Sequence, residues 1–305
     1  MRFHPLLVFL LFLFTAPLCA QQDTSFIELF ANRARINTGL RYRDRSLSFT
    51  TPSGESFKLE NEGLAYRIGG RYKQASYTFS IPISDLRTSD GTQESKSFSL
   101  GLTLFMRSQL LSARFRNTRG FRSVTSEGGT IFREDVDLFT ANIYGFRVLN
   151  NKRFSLRSSF KQRDRQLKSQ GSFLLGGLID RQLLTSDGIH IPYEDGQDKW
   201  VSRVAQTKFG VGLGYAHTFN FGNHFFLTPF AIAGPEFRFL TFDVVNNARR
   251  ERENLRVSPR LSTYLAFGWN GKRTAVAITS SYLPTLDVSE NLETRNNQAT
   301  VELRI

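Results

Sequence analysis

The sequence predicts an all-β protein: a transmembrane antiparallel up-and-down β-barrel of about twelve strands, with ten to fourteen compatible with the pattern. Apolar and polar residues alternate with period two through segment after segment. Short and long connections largely alternate between those segments, as in barrels with tight turns at one end and longer loops at the other. Mean hydropathy is only −0.29, although the 305 residues include 29 Phe and 13% are aromatic. One strand face in lipid and the other in a polar lumen gives that combination. A disordered chain would be far poorer in aromatics.

The chain opens with Met1-Arg2-Phe3-His4-Pro5, the apolar run from Leu6 to Phe14, and Thr15-Ala16-Pro17-Leu18-Cys19-Ala20. A basic start, an apolar stretch too short to span a bilayer and a small-residue site predict a secretory signal peptide over residues 1–20. Cys19 raises lipidation as the rival, but Leu18 stands where a lipidated Cys normally has a small neighbour. Cleavage after Ala20 leaves one domain, residues 21–305, removes the single Cys and takes the formal charge from +13 to +12. An exported chain without Cys has no disulfide framework, thiolate nucleophile or Cys-metal site. Export also removes nucleic acid as a partner, so the positive charge calls for another explanation.

The strands follow in order. Ile36, Thr38, Leu40 and Tyr42 alternate with Asn37, Gly39, Arg41 and Arg43. Leu64, Tyr66 and Ile68 alternate with Arg67, Gly69 and Arg71. Similar segments run through Tyr77–Ile83, Phe98–Leu104, Leu111–Phe115 and Phe154–Phe160, where Arg157 and Lys161 fall on the polar side. The clearest sets Phe209, Val211, Leu213, Tyr215, His217 and Phe219 against Lys208, Gly210, Gly212, Gly214, Ala216 and Thr218. Leu261–Trp269, Val276–Tyr282 and Ala299–Ile305 complete the series. Turns fall at Lys73-Gln74, Arg107-Ser108, Asn150-Asn151, 220–223 and Asn270-Gly271. Long polar connections cover about Thr51–Glu62, Asp85–Lys96, Arg119–Asp135, Ser186–Val201, Asp243–Leu255 and Asp287–Asn296. Tyr42, Tyr72, Phe219, Phe225, Phe226, Trp269 and Tyr282 are the expected interfacial girdles. Thirteen alternating segments are counted in all, where a single-chain barrel wants an even number, and the misfit, in Arg163–Thr185, breaks the short–long order. It is expected to fold into the lumen or over the mouth, with Gln166, Lys168, Ser169, Gly171 and Ser172 as its plug residues. A soluble exported β-sandwich shares the alternation, but not the turn-length asymmetry.

Gln166-Leu167-Lys168-Ser169-Gln170-Gly171-Ser172-Phe173 resembles the signature of a Bacteroidota outer-membrane family catalogued only as a domain of unknown function. Gly212–Ala216 and Phe225–Thr228 followed by Gly234 are similar to later blocks of that family. The resemblance spans most of residues 21–305, with Leu167 and Gln170 in place of the family's Lys and Ala. It implies an outer-membrane barrel and no particular chemistry.

No catalytic constellation stands out, and neither a metal nor a cofactor is expected. His217-Thr218-Phe219-Asn220 lacks the Ser that would pair base and nucleophile on one strand, and His217 falls on the lipid-facing side. His190 lies in a long connection and His224 beside a turn. Glu134, Asp135 and Asp137, and Glu194, Asp195 and Asp198, lack calcium-loop spacing and read as solvated loop charge. Gly210, Gly212 and Gly214 sit mid-strand with no helix behind them, which points to lining a crowded lumen rather than to a nucleotide loop. The basic residues say more. Arg41, Arg43, Arg67, Arg71, Arg114, Arg116, Arg157 and Lys161 all take the polar face, with no matching acidic ladder in their segments. A basic lumen points to a structural or small-solute barrel that favours anions. Outer-membrane lipid, the barrel-assembly machinery and an anionic solute are the partners expected. Arg249, Arg250, Arg252 and Arg256 could add lipopolysaccharide phosphates. The alternatives are a membrane hydrolase of lipid or peptide and a soluble β-protein binding anionic glycans.

Overall fold

The computed structural model describes residues 22–30, 34–50, 56–84, 95–124, 129–191, 199–222, 224–245, 250–252, 255–271, 275–282, 285–288 and 293–304. The segment read as a signal peptide and the Glu194/Asp195/Asp198 cluster lie outside them. In chain order the strands are β1 (Ile27–Leu29), β2 (Arg35–Thr50), β3 (Ser56–Tyr72), β4 (Ala75–Ser84), β5 (Lys96–Phe105), β6 (Gln109–Val124) and β7 (Thr130–Val148). A short helix, α1 (Leu156–Phe160), precedes β8 (Asp164–Gln166), β9 (Gln170–Ile191), β10 (Lys199–Phe221) and β11 (Phe225–Val244). The last are β12 (Arg250–Arg252), β13 (Arg256–Asn270), β14 (Ala275–Tyr282), β15 (Thr285–Val288) and β16 (Glu293–Arg304).

The large sheet runs β10-β9-β7-β6-β5-β4-β3-β2-β16-β14-β13-β11, and pairing of β10 with β11 closes it. The short β12 extends the wall beside β11, and β15 continues the line of β14 along β16. Among the described residues this makes twelve staves, all antiparallel. Closure leaves no sheet edge in hydrocarbon, which is what a membrane demands of strands. Ile68, Phe79, Leu102, Phe115, Ile143, Leu213, Leu265 and Ile278 project outward from eight different staves and stay exposed, Leu213 at 69%. Their partners in the alternation turn inward and are buried or half-buried. The chain is a transmembrane antiparallel β-barrel.

The strands run further than the alternation predicts. Ser56–Glu62, Arg119–Val124 and Thr130–Asp135 were expected in long connections but belong to β3, β6 and β7. His190, expected in a loop, likewise lies in β9. Beyond the lipid the outer face need not be apolar, so the period fades while the hydrogen-bond ladder continues. There Lys58 pairs with Glu60, and Tyr42 donates to Glu62. Because β4 and β5 are short, β3 meets β6 directly above their hairpin, Lys58↔Val124 to Glu60↔Arg122. The ring is narrower there. A bulge at Gly120, whose φ of +84° suits glycine, turns Phe121 into this upper lumen.

The core is the lumen, and it is layered. At the loop end Leu47, Leu59, Phe121, Val136, Leu138, Leu184, Val204, Leu240 and Phe242 form one buried apolar cluster from β2 round to β11. At the turn end Phe105, Phe146, Phe154, Leu156, Leu174, Phe230 and Ile232 form another, packed against Tyr144, Phe160 and Tyr264. Phe226 points inward with Ala266 and Ala277 against Phe160, so it is no part of a girdle.

The inward segment is not the one expected. Gln170–Ile191 is a regular stave, paired with β7 and β10 over its length. What enters the barrel is the connection before it, residues 149–168, which carries α1 and β8. β8 pairs with β1, Ile27↔Gln166 to Leu29↔Asp164, making a two-stranded patch at the turn end. Phe154–Phe160 is therefore not a strand. Its apolar residues match a short helix as well as a period of two, and burial of both sides of that helix inside the barrel decides the outcome.

Candidate functional site: a basic luminal chamber

Between the two apolar layers the inward side chains are polar and predominantly cationic. Arg41, Arg43 and Arg45 follow one another down the inner face of β2, Arg67 extends from β3, and Arg114 and Arg116 extend from β6. Period two brings them to one side of each strand, and the cross-strand register sets β2, β3 and β6 on one wall. Arg43 Nη1 donates to Ser97 Oγ at 2.6 Å, and Arg67 Nη2 to Thr78 Oγ1 at 2.9 Å. Arg45 reaches Thr140 Oγ1 at 3.2 Å and Gln182 Oε1 at 3.4 Å. Arg114 and Arg116 have no hydrogen-bond or ion-pair partner among the described residues. Arg116 is only 6% exposed, and its Nε is buried without an acceptor.

The opposite wall carries cations of another kind. Lys208 (β10), Arg238 (β11) and Arg260 (β13) converge on the Glu236 carboxylate, which is 1% exposed, at 3.7, 3.7 and 3.0 Å. Asp180 on β9 accepts from Asn142 at 3.1 Å and from Gln182 at 2.8 Å. Among the described side chains of this polar layer, these two carboxylates face nine cations. The acidic cluster at Glu134–Asp137 does not fold inward to neutralise them. Its Asp135 instead takes a two-bond contact from Arg133 at 2.6 and 2.7 Å.

A cavity of about 210 Å³ lies within this layer. Arg41, Arg67, Arg114, Arg116, Lys208 and Arg260 line it with Asp180 and Glu236. Apart from Lys161, its turn-end side is apolar: Phe105, Leu110, Phe146, Phe160, Phe230, Ile232 and the ring of Tyr264. The glycines of β10 make room here. At Gly212 and Gly234 the two backbones approach so closely that a Cβ on Gly234 would collide with the Val211 carbonyl oxygen.

The inserted segment closes the turn end through backbone acceptors. Asn270 Nδ2 donates to the carbonyls of Ser158 (3.1 Å) and Asp164 (2.7 Å), and Arg71 Nη1 to that of Lys161 (2.6 Å). The hydroxyls of Ser159, Thr218 and Thr228 meet in a buried triangle of 2.5–3.2 Å sides. Arg157, expected on a strand face, pairs instead with Asp164 at 2.7 Å inside the plug. Lys161 follows α1 and lines the cavity from below. Of the expected plug residues, Gln166 does the work: it bonds the carbonyls of Phe26 and Arg153 and accepts from Ser155 N. Lys168 lies 4.9 Å over the Phe26 ring. Ser169, Gly171 and Ser172 belong to the rim and wall, where Asn220 N donates to Ser169 Oγ and Asn150 bonds Ser172 Oγ and the Gly171 carbonyl. Asp23 anchors the N-terminal stretch on this segment, its N donating to the Lys152 carbonyl at 2.9 Å, and its carboxylate accepts from Ser25 Oγ and N at 2.7 and 3.0 Å, which holds its carboxyl below the ordinary 3.8.

His217 and His224 stay clear of the chamber. His217 lies outward between Tyr215, whose hydroxyl is 3.1 Å from Nδ1, and Phe219. His224 stacks on Trp269 near a turn. Ser155 donates to Asp164 at 2.8 Å with no histidine beside it. Among the described residues there is no metal-binding cluster.

Sequence reasoning missed Arg45, Lys208, Arg238 and Arg260, and both luminal carboxylates. Arg45 continues the period of Arg41 and Arg43, and Glu236 and Arg238 alternate with Phe237 and Phe239, so the signal was present.

A plugged, closed, twelve-stave barrel with a cationic polar layer is the class of protein defined here. The chain belongs to the family described as Domain of unknown function (DUF4421), whose model matches residues 21–305. Among curated proteins none matches the sequence. Similar solved structures include the β domain of the Bordetella autotransporter BrkA, at 10% identity over 87% of this chain and 98% of that one, with a TM-score of 0.41. The Escherichia coli outer membrane protease OmpT is 10% identical over 90% of this chain and 97% of its own, TM-score 0.44. The translocator domain of Neisseria meningitidis NalP is 13% identical over 88% of each chain, TM-score 0.46.

Proposed function

We propose that the protein is a barrel of the bacterial outer membrane, exported by a cleaved signal peptide, that admits small anions into a plugged lumen. The excess of cations in the polar layer carries this reading. Low-dielectric walls focus the field of unpaired arginines, so anions concentrate there and cations are repelled. The apolar layers and the inserted segment support a narrow, restricted path. In this reading lipid covers the exposed apolar belt, the barrel-assembly machinery inserts the chain, and arginines at the loop end meet lipopolysaccharide phosphates.

A hydrolase reading through a histidine base finds no support in His217 or His224, which both lie outside the chamber. Planar-bilayer recording in a salt gradient tests the proposal. Wild-type barrel is expected to conduct weakly, and Asn270→Ala, which loosens the plug, to conduct more, both with anion preference. A cation preference in either would overturn it.

A further inference from the structure

The chamber is two-sided, and its two sides are chemically different. On the turn-end side the aromatic rings form a continuous apolar floor: Phe146 lies edge-on to Phe230 at 5.2 Å, and Phe230 stacks on Tyr264 at 4.9 Å. Phe160 of α1 closes that floor against both, at 6.0 and 6.2 Å. On the other side stand Arg114 and Arg116, two residues apart on the inner face of β6. Both line the same cavity, Arg116 buried and Arg114 half-buried; neither has a hydrogen-bond or ion-pair partner among the described residues, and Arg116 Nε is buried without an acceptor. A buried guanidinium without a partner is costly unless it meets an anion or water. Arginine also presents a planar fork that matches a carboxylate.

An inorganic anion would satisfy the arginines but leave the aromatic floor facing empty polar space. A neutral apolar molecule would cover the floor but leave the arginines unpaired. We propose that the chamber is a binding site for a small amphipathic organic anion: a carboxylate on a compact apolar body, its head on Arg114 and Arg116 and its body on Phe146, Phe230 and Tyr264. The volume of about 210 Å³ sets the size. It falls below the roughly 300–1,000 Å³ of sites for drug-sized ligands, which leaves room for about a dozen heavy atoms. Because Phe160 belongs to the plug, the ligand also rests on the element that closes the barrel, so occupancy and plug position are linked.

This inference deepens the anion-handling reading, and its test is independent of conduction. The folded full-length barrel, in detergent micelles with empty micelles as blank, is titrated calorimetrically with 3-phenylpropanoate, 3-phenylpropanol and inorganic phosphate. The acid is expected to bind at least about tenfold tighter than either the alcohol or phosphate. Arg114→Met/Arg116→Met is expected to abolish the preference for acid over alcohol, and Phe146→Ala to weaken the acid while sparing phosphate. Heat-modifiable gel migration checks that each variant is folded, and Arg114→Lys serves if the double variant is not; it should retain binding at reduced affinity. Equal binding of acid and alcohol, phosphate as tight as the acid, or no saturable binding by the folded wild type would each overturn the site. Loss of binding alongside retained anion selectivity in bilayers would sink this inference alone, whereas cation selectivity would sink the reading beneath it.

Discussion

The two walls of the lumen use the same residue types to opposite ends. On β10, β11 and β13, Lys208, Arg238 and Arg260 gather on one carboxylate, Glu236, and form a closed ionic cluster. On β6, Arg114 and Arg116 face the cavity with no counter-charge among the described residues, and Arg43 and Arg67 nearby are met by the hydroxyls of Ser97 and Thr78. A buried charge that is paired holds strands together, and removing one partner is expensive. A buried charge left without a carboxylate does little for the fold and keeps its capacity for an anion. The basic count alone therefore does not locate a site; the distribution of Asp and Glu against it does.

Breaking the paired wall carries the largest effect. Glu236→Gln strands three cations around a neutral amide and should destabilise the barrel by about 3–5 kcal/mol. Urea titration in detergent, read by heat-modifiable migration, measures it; an unchanged midpoint would show that the cluster holds nothing together. Next comes the plug. Asn270→Ala removes both donors to Ser158 and Asp164, and should loosen docking of residues 149–168 by about 1–3 kcal/mol. Faster hydrogen exchange confined to that segment is the expected signature, and uniform acceleration through the barrel would contradict it.

The open wall should respond in the other direction. Arg116→Met exchanges an unpaired buried cation for an apolar chain of similar reach, so stability should stay level or rise, by up to about 1–4 kcal/mol where such ions have been replaced. A fall comparable with that of Glu236→Gln would mean that both walls are structural. The smallest effect lies at the N-terminal anchor. The Asp23 carboxyl is held below 3.8 by its bonds from Ser25, so the anchor's contribution is complete above that value and is lost as pH falls through the lowered one. Exchange of the Ser25 amide, corrected for intrinsic rate, should be flat from about pH 5 to 8 and accelerate only in stronger acid. A change near neutrality would rule Asp23 out.

Most staves were legible because lipid on one side and a polar lumen on the other impose a strict period of two, but the expected twelve counted Phe154–Phe160 in place of Gln170–Ile191. That signal failed where the lumen itself turns apolar. Phe173-Leu174-Leu175 faces lipid, plug and lipid in turn, so a regular stave reads as a continuous apolar run and was mistaken for the plug. The real plug, with Phe154, Leu156 and Phe160, was too short for its helical period to be distinguished from alternation. Phe226 beside Phe225 misled in the same way, since both faces of β11 are apolar at that depth. Of the site, the arginines of β2, β3 and β6 were readable from their strands, but their lack of partners is a property of the closed ring. No single segment shows that Glu236 serves β10, β11 and β13 together.

The most direct test of the two-wall account is the reversal potential of paired variants in planar bilayers under a potassium chloride gradient. The wild type should reverse at a potential of the sign set by chloride. Arg114→Met/Arg116→Met should move it toward zero, and Glu236→Gln, where it still folds, should move it further toward the chloride limit. A potential set by potassium, or one that the arginine variants leave in place, would contradict the claim that the open wall is where anions are met.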